Sequence, residues 1–253
     1  MRTVLAITRK ELEQYFASPI AYVVVSFFLV LSGFFFFLYL KFYLQNVTMA
    51  GSMGQETNEV SQAIMRPFFS NIAFFFLSIF PLLTMRQVAE EKKLGTYELL
   101  MTSPVSVGQL VVGKFLGTVS FMAVILVLIS IYPAVLFIFG HPDFGPIGTG
   151  FLGLLLLGSA FLSFGILFSA LTESQIVAAV LGYVFFLILW IVNFLTSADT
   201  WYGKVLQYIS VYQRFDDFTK GIVNLGDAVY YLSFAFFGLF VTAIVLQSQR
   251  WKS

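Results

Sequence analysis

Six runs of this 253-residue chain, 20–40, 68–85, 115–140, 144–172, 174–198 and 228–249, contain no Asp, Glu, Lys or Arg. Each is long enough to cross a hydrocarbon core about 30 Å thick, which takes roughly 17–25 helical residues. Inside a bilayer every backbone N–H and C=O must find its partner within the protein, which leaves only helices and closed barrels. None of the runs alternates apolar and polar residues with period 2, and all exceed the length of a barrel strand. The fold class expected is all-α integral membrane, a six-transmembrane-helix bundle.

Composition excludes the main rivals. Charged residues make up 11% of the chain, against roughly 25% in a soluble domain, so a soluble enzyme is ruled out. A net charge of +1 gives no basic surface for nucleic acid. With no Cys there is neither a disulfide nor a thiolate metal site.

The chain reads as one membrane domain over 1–253, with an interfacial helix at 1–19 and spans at about 20–44, 68–86, 111–140, 146–172, 174–197 and 228–249. A polar loop, 45–67, follows the first span. The loop 87–104 joins the second and third spans, and an outer segment, 198–227, precedes the sixth. An even number of spans puts both termini on one side. Arg2, Arg9, Lys10, Arg86, Lys92, Lys93, Lys114, Arg250 and Lys252 lie on that side, against Lys41, Arg66, Lys204, Arg214 and Lys220 on the other. Nine against five predicts cytoplasmic termini under the positive-inside rule. The first span is too long for a signal-peptide core and lacks a small-residue cleavage site, so it is expected to be retained.

On a helical wheel of the first segment, Val4, Leu5, Thr8, Leu12, Tyr15 and Phe16 share one side, with Ile7 an exception. This predicts an amphipathic helix on the cytoplasmic leaflet, ended by Ser18-Pro19, with Arg9, Lys10 and Glu11 in water and available to a partner. The loop 86–100, RQVAEEKKLGTYELL, is helix-forming to Leu94 and has Gly95 at a C-cap position. Tyr97, Leu99, Leu100 and Met101 are too apolar for a solvated hairpin, which points to a short helix that receives force from a soluble subunit.

The residues Arg86-x-x-Ala89-Glu90-Glu91-Lys92-x-x-Gly95-Thr96-x-Glu98-Leu99-Leu100-x-Thr102-x-Pro104-Val105-Ser106, then Gly113-Lys114, resemble the signature of type 2 ABC exporter permeases. Lys10-Glu11-Leu12 with Phe16-x-Ser18-Pro19-Ile20-Ala21-Tyr22, and Phe218-x-x-Gly221-Ile222-Val223-x-x-x-Asp227, are similar to the subfamily of the gliding-motility-associated ABC permease. The resemblance runs from about residue 10 to about residue 245. It implies a half-transporter in the bacterial inner membrane that pairs with a second copy or a related permease. Its N-terminal helix and cytoplasmic coupling helix would dock on a separate ABC ATPase that holds the ATP and Mg²⁺. This chain itself would bind no cofactor and no metal. Carried over by position, the coupling residues are Glu90, Glu91, Lys92, Gly95, Thr96 and Glu98. The dimer cleft of such folds forms around the second and fifth spans, which implies Asn71, Phe74, Phe75, Ser78, Tyr183, Phe186, Trp190 and Asn193 as wall candidates. Helices that are apolar all round do not show which of these face the cleft.

Several patterns are false friends. Gly108-x-x-x-x-Gly113-Lys114 imitates a phosphate-binding loop, but Phe115 stands where magnesium needs Ser or Thr, and no strand precedes it. Gly113-x-x-x-Gly117 reads better as close helix packing. His141 and Asp143 do not close a metal sphere, and no catalytic constellation is present, so the chain is not expected to be an enzyme. Asn71 and Asn193 are either hydrogen-bonded between helices or line a wet cleft. The outer segment carries Val205, Tyr208, Ile209, Tyr212, Phe215, Phe218 and Ile222 at helical spacing, fitting short helices that act as a gate or dock a periplasmic subunit. Two rival functions are an ATP-independent channel or carrier and a non-transporting complex that uses ATPase force mechanically. The first would place ionisable residues within the spans, and the charge-free runs hold none.

Overall fold

The computed structural model describes residues 2–53, 61–97, 105–139, 142–195 and 210–250. All regular structure among them is helical: α1 Arg2–Ala17, α2 Pro19–Met53, a π-helical turn Ser61–Met65 leading into α3 Arg66–Thr84, α4 Ala89–Lys93, α5 Val107–Ile129, α6 Ile131–Phe139, α7 Phe144–Leu171, α8 Gln175–Leu195, α9 Val211–Thr219 and α10 Leu225–Arg250. Six stretches are long and apolar enough to cross a membrane: Pro19–Met49, Gln62–Lys93, Val107–Ile138, Phe144–Leu171, Gln175–Val192 and Leu225–Arg250.

Local chemistry sets the element ends. α2 runs on to Met53, so residues 45–53 are helical where the sequence suggests a polar loop. No Gly or Pro interrupts this stretch before Gly51, and the Thr48 hydroxyl donates back to the Leu44 carbonyl at 2.8 Å. A capping box starts α5: the Gln109 N–H donates to Ser106 Oγ while Gln109 Oε1 accepts from the Ser106 N–H, both at 3.3 Å. The third span breaks at Ser130 between α5 and α6. Pro133 has no N–H for the Ile129 carbonyl, and its ring crowds that group.

The bundle is organised around α7, the most buried span, which packs against α3, α5, α8, α9 and α10. Lipid tails are as apolar as the side chains, so close packing rather than water exclusion drives this association. The α7 glycines provide the approach. Gly150 lies under the Phe69 ring, Gly153 under Phe218, Gly158 under Met122 and Gly165 against Thr84, while Gly238 of α10 meets Ser163. Buried aromatics such as Phe76 and Phe80, stacked 4.3 Å apart, fill the space between spans.

Helix α1 and the last turns of α10 lie at one end of the bundle. There α1 packs along the start of α5, α4 meets the end of α7, and the Tyr97 hydroxyl donates to the Leu246 carbonyl of α10 at 3.3 Å. At the opposite end α9 packs between the starts of α3, α7 and α10.

Candidate functional site

At the α1 end, α1 and α5 run side by side in one direction with a constant register. Ile7 Cβ sits over Gly113, Glu11 Cβ over Gly117, and the Tyr15 ring stacks on Phe121 at 4.7 Å. Each pair is offset by the same number of residues, and the four-residue steps match the ridge spacing of a helix. The two glycines form the groove: a Cβ at either would come within 2.7 Å of α1 side-chain atoms. The Gly-x-x-x-Gly pattern is therefore a packing motif. Ile7, an exception on the wheel, belongs to the buried stripe, and Leu5 is exposed instead. The helix turns that stripe toward α5 because Gly113 leaves room for a branched side chain there.

Lys114 stands between the two glycines, 2% exposed, and uses all three of its ammonium protons. It donates to Glu11 Oε1 at 2.8 Å, to Glu91 Oε1 at 2.7 Å and to the Gln87 carbonyl at 2.7 Å. One side chain so ties α1, the turn after α3, α4 and α5 together. A second chain runs beside it. Gln87 Nε2 donates to the Tyr15 hydroxyl at 2.6 Å and to Thr118 Oγ1 at 2.9 Å. The Tyr15 hydroxyl in turn donates to the Leu83 carbonyl at 3.1 Å. Burial pushes the Tyr15 phenol up to about 12, so this donor stays protonated.

These contacts correct one expectation and place a second residue. Glu11 is buried rather than in water, and the coupling candidate Glu91 is half-buried and paired with Lys114. In both cases a buried cation one helix away compensates the carboxylate's desolvation. Arg9 and Lys10 do remain exposed, Arg9 in a 2.7 Å pair with Glu13.

The remaining coupling candidates split by face. Glu90 is held bidentately by Arg86, at 2.8 and 3.1 Å. Lys92 donates to the Ala170 carbonyl at the end of α7, a favourable place for a cation because unpaired carbonyls gather there. It also lies over the Tyr97 ring, whose phenol burial pushes up to about 12. Ser169 Oγ accepts from the Val88 and Ala89 N–H groups, each at 3.0 Å, and donates to the Met85 carbonyl at 2.9 Å. Gly95 ends α4 with φ +70°, the left-handed C-cap that favours glycine. Beyond it Leu94, Gly95 and Thr96 form an exposed tip, with Leu94 67% exposed. Glu98 lies outside the described residues. Lys114, Gln87, Ser169 and Leu94 were not among the sequence candidates. The Lys114 signal was present, a lone cation at the edge of an apolar run, but its partners are distant in sequence.

The cleft-wall candidates also divide. Phe74 is exposed and lies 5.3 Å from the half-buried Trp190, and Tyr183 is exposed two turns before Trp190 on α8. Phe75 sits between Phe27 and Phe35, and Ser78 is half-buried. Asn71 Nδ2 donates to the Tyr39 hydroxyl of α2 and to the Pro67 carbonyl, so it bonds between helices. Phe186 is a correction: fully buried and stacked 4.5 Å from Phe161, it packs inside its own bundle and presents no outer face. The Asn193 side chain and His141 lie outside the described residues.

At the opposite end, Asp216 of α9 accepts a bidentate pair from Arg66, both contacts at 2.9 Å, and a 2.7 Å bond from Lys220. Partial burial works against the Asp216 carboxylate, but the Lys220 and Arg66 hydrogen bonds outweigh it and hold its pKa below the ordinary value. Arg214 pairs with Asp227 of α10 at 2.6 Å. Residues 211–219 are thus a helix fastened to α3 and α10, while 198–209 lie outside the described residues.

Six apolar spans, with an N-terminal helix locked onto the third of them, define a multi-pass membrane protein. The chain belongs to the ABC-2 family, the model described as ABC-2 family transporter protein matching residues 5–246. That family supplies the membrane component of ABC transporters, is generally non-catalytic and in general works with an ABC ATPase. Among curated proteins, none matches this chain.

Proposed function

We propose that this chain is the permease subunit of an ATP-driven exporter in the bacterial cytoplasmic membrane, with both termini cytoplasmic, in the subfamily similar to the gliding-motility-associated permease. ATP and Mg²⁺ bind in the partner ATPase. Two copies, or one copy with a related permease, enclose a cleft walled by Phe74, Tyr183 and Trp190, and the α9 region is the face for a periplasmic subunit. The observation that carries the reading is the connection of α4. Through Glu91 and Lys114 it is bound to α1 and α5, and through Ser169 and Lys92 to α7. Force on the exposed tip therefore moves several spans at once, as a coupling helix requires.

The docking surface in this reading is the tip, with Leu94 as its apolar anchor. Leu94→Asp should abolish co-purification of the ATPase from native membranes and leave the melting temperature of the permease unchanged. Equal recovery of the ATPase with wild type and Leu94→Asp would refute this docking surface. A chain that recovers no ATPase at all under mild extraction would refute the transporter assignment.

A further inference from the structure

Every helix leaves its first N–H groups without partners inside it, and α4 has no N-cap side chain of its own, since Val88 precedes it. Ser169, buried near the end of α7, supplies that cap from another helix. Its hydroxyl accepts from the Val88 and Ala89 N–H groups, each at 3.0 Å, and donates to the Met85 carbonyl at 2.9 Å, which uses its one proton and both lone pairs. The last carbonyls of α7 have the converse need, and Lys92 of α4 meets it by donating to the Ala170 carbonyl. Each helix caps the other, so α4 is clasped to α7 at both of its own ends.

The far end of α7 holds α9 by similar contacts. The Thr149 hydroxyl donates to the Phe218 carbonyl at 2.6 Å, a shorter contact than the 2.8 Å to its own helix at Gly145. Gly153 lies under Phe218, and Pro146 lies against Gly221, the residue with φ +89° that follows α9. Between Thr149 and Ser169 the helix rises about 30 Å, and it runs unbroken from Phe144 to Leu171 with no proline after Pro146. The other spans offer less direct routes. α3 carries Pro81 in its last turn before α4, the third span breaks at Ser130, and α10 is reached through the 3.3 Å bond from Tyr97, beyond the Gly95 turn.

We infer that α7 is the transmission element of this chain: displacement of α4 is delivered along it to α9, with Ser169 and Thr149 as the positioning residues at its two ends. The link is a property of the chain alone; that an ATPase supplies the displacement rests on the function proposed above. The test is a two-site cycle read by hydrogen exchange and mass spectrometry on the purified full chain in nanodiscs, since exchange reports local opening. Thr149→Val, which keeps the branched shape and removes the hydroxyl, should speed exchange in residues 211–219 about five-fold, as loss of one hydrogen bond implies. Ser169→Ala should speed exchange in α4 by a similar factor and also, about 30 Å away, in residues 211–219 by about two-fold or more. Sites so far apart normally act independently. In the double variant residues 211–219 should nevertheless exchange no faster than in Thr149→Val alone, because α9 is already released from α7. Tyr97→Phe, which cuts the route through α10, should leave them at the wild-type rate. Helix α6, which packs on α2 and α5, should keep its wild-type rate in every variant. A wild-type rate for 211–219 in Ser169→Ala, or factors that simply multiply in the double variant, would overturn the inference. Equal acceleration in α6, the sign of general loosening, would do the same. Should Ser169→Ala not fold, Lys92→Met, which releases the other cap at a half-buried position, is expected to give the same distal change and is decided by the same outcomes. A chain that shows this linkage but recovers no ATPase would uphold the inference and overturn only the transporter assignment.

Discussion

Replacing Lys114 by Met keeps nearly the same side-chain length in a 2% exposed position and removes the ammonium. Three hydrogen bonds go with it, to Glu11, Glu91 and the Gln87 carbonyl. At an effective dielectric constant of about 20, a pair of charges at the 2.8 Å separation from Glu11 attracts by about 6 kcal/mol before desolvation is counted. Desolvation costs several kcal/mol per ion, so the knot as a whole adds much less than its gross attraction. Removing one member is a different matter, because Glu11 stays buried at 6% side-chain exposure and Glu91 at 17%, with no cation between them. The expected loss is about 3–5 kcal/mol, the range for breaking a buried pair. For a chain of this size that lowers the melting temperature by about 6–20 °C, read by tryptophan fluorescence in detergent. Neutralising the carboxylates as well, with Glu11→Gln and Glu91→Gln added to Lys114→Met, should recover most of the loss. A Lys114→Met protein melting within about 2 °C of wild type, or a triple variant as unstable as the single, would refute the claim that Lys114 holds this end together.

Two further predictions address packing and pH. A Cβ on Gly165 would fall 2.2 Å from Thr84 Oγ1 and 2.8 Å from its Cβ, so Gly165→Ala should destabilise, overpacking of about 1–3 kcal/mol outweighing the roughly 1 kcal/mol gained in helix propensity. Gly148, in the same helix with nothing within 4 Å, should instead gain about 1 kcal/mol as Ala, and thermal melting of the two variants in opposite directions is the check. At the end of the bundle opposite α1, the folded-state pKa of Asp216 is depressed, so its contribution is complete above the ordinary carboxylate value near 3.9 and drains away as pH falls through the lowered pKa. Lys220 is raised by its hydrogen bond to Asp216, so its share is complete below about 10.4 and is lost as pH rises through the raised value. Corrected for intrinsic rate, hydrogen-exchange protection of residues 211–219 should be flat between about pH 5 and 9 and weaken below about pH 4. Asp216→Asn should remove the acid-side change and cost about 0.5–1 kcal/mol, as fits a half-exposed cluster. An acid-side change that persists in the variant would refute the assignment to Asp216.

The sequence by itself determined that this chain spans a membrane six times as helices. Long charge-free runs leave a polypeptide no other way to satisfy its backbone in a bilayer. It also placed α1, α4, the Gly95 cap and the packing role of Gly113 and Gly117, since each is a local pattern with a local cause. What it could not give was the direction in which side chains point from helices apolar on every side. Phe186 and Tyr183 read alike in sequence, yet one stacks inside the bundle on Phe161 and the other is exposed. Nor could it pair charges across distance. Glu11 read as a solvated residue and Lys114 as the end of a spurious nucleotide loop, because they are 103 positions apart and only the parallel register of α1 on α5 brings them to 2.8 Å. The tertiary structure alone decided which charges are buried, since burying a carboxylate depends on a counter-ion that another helix supplies.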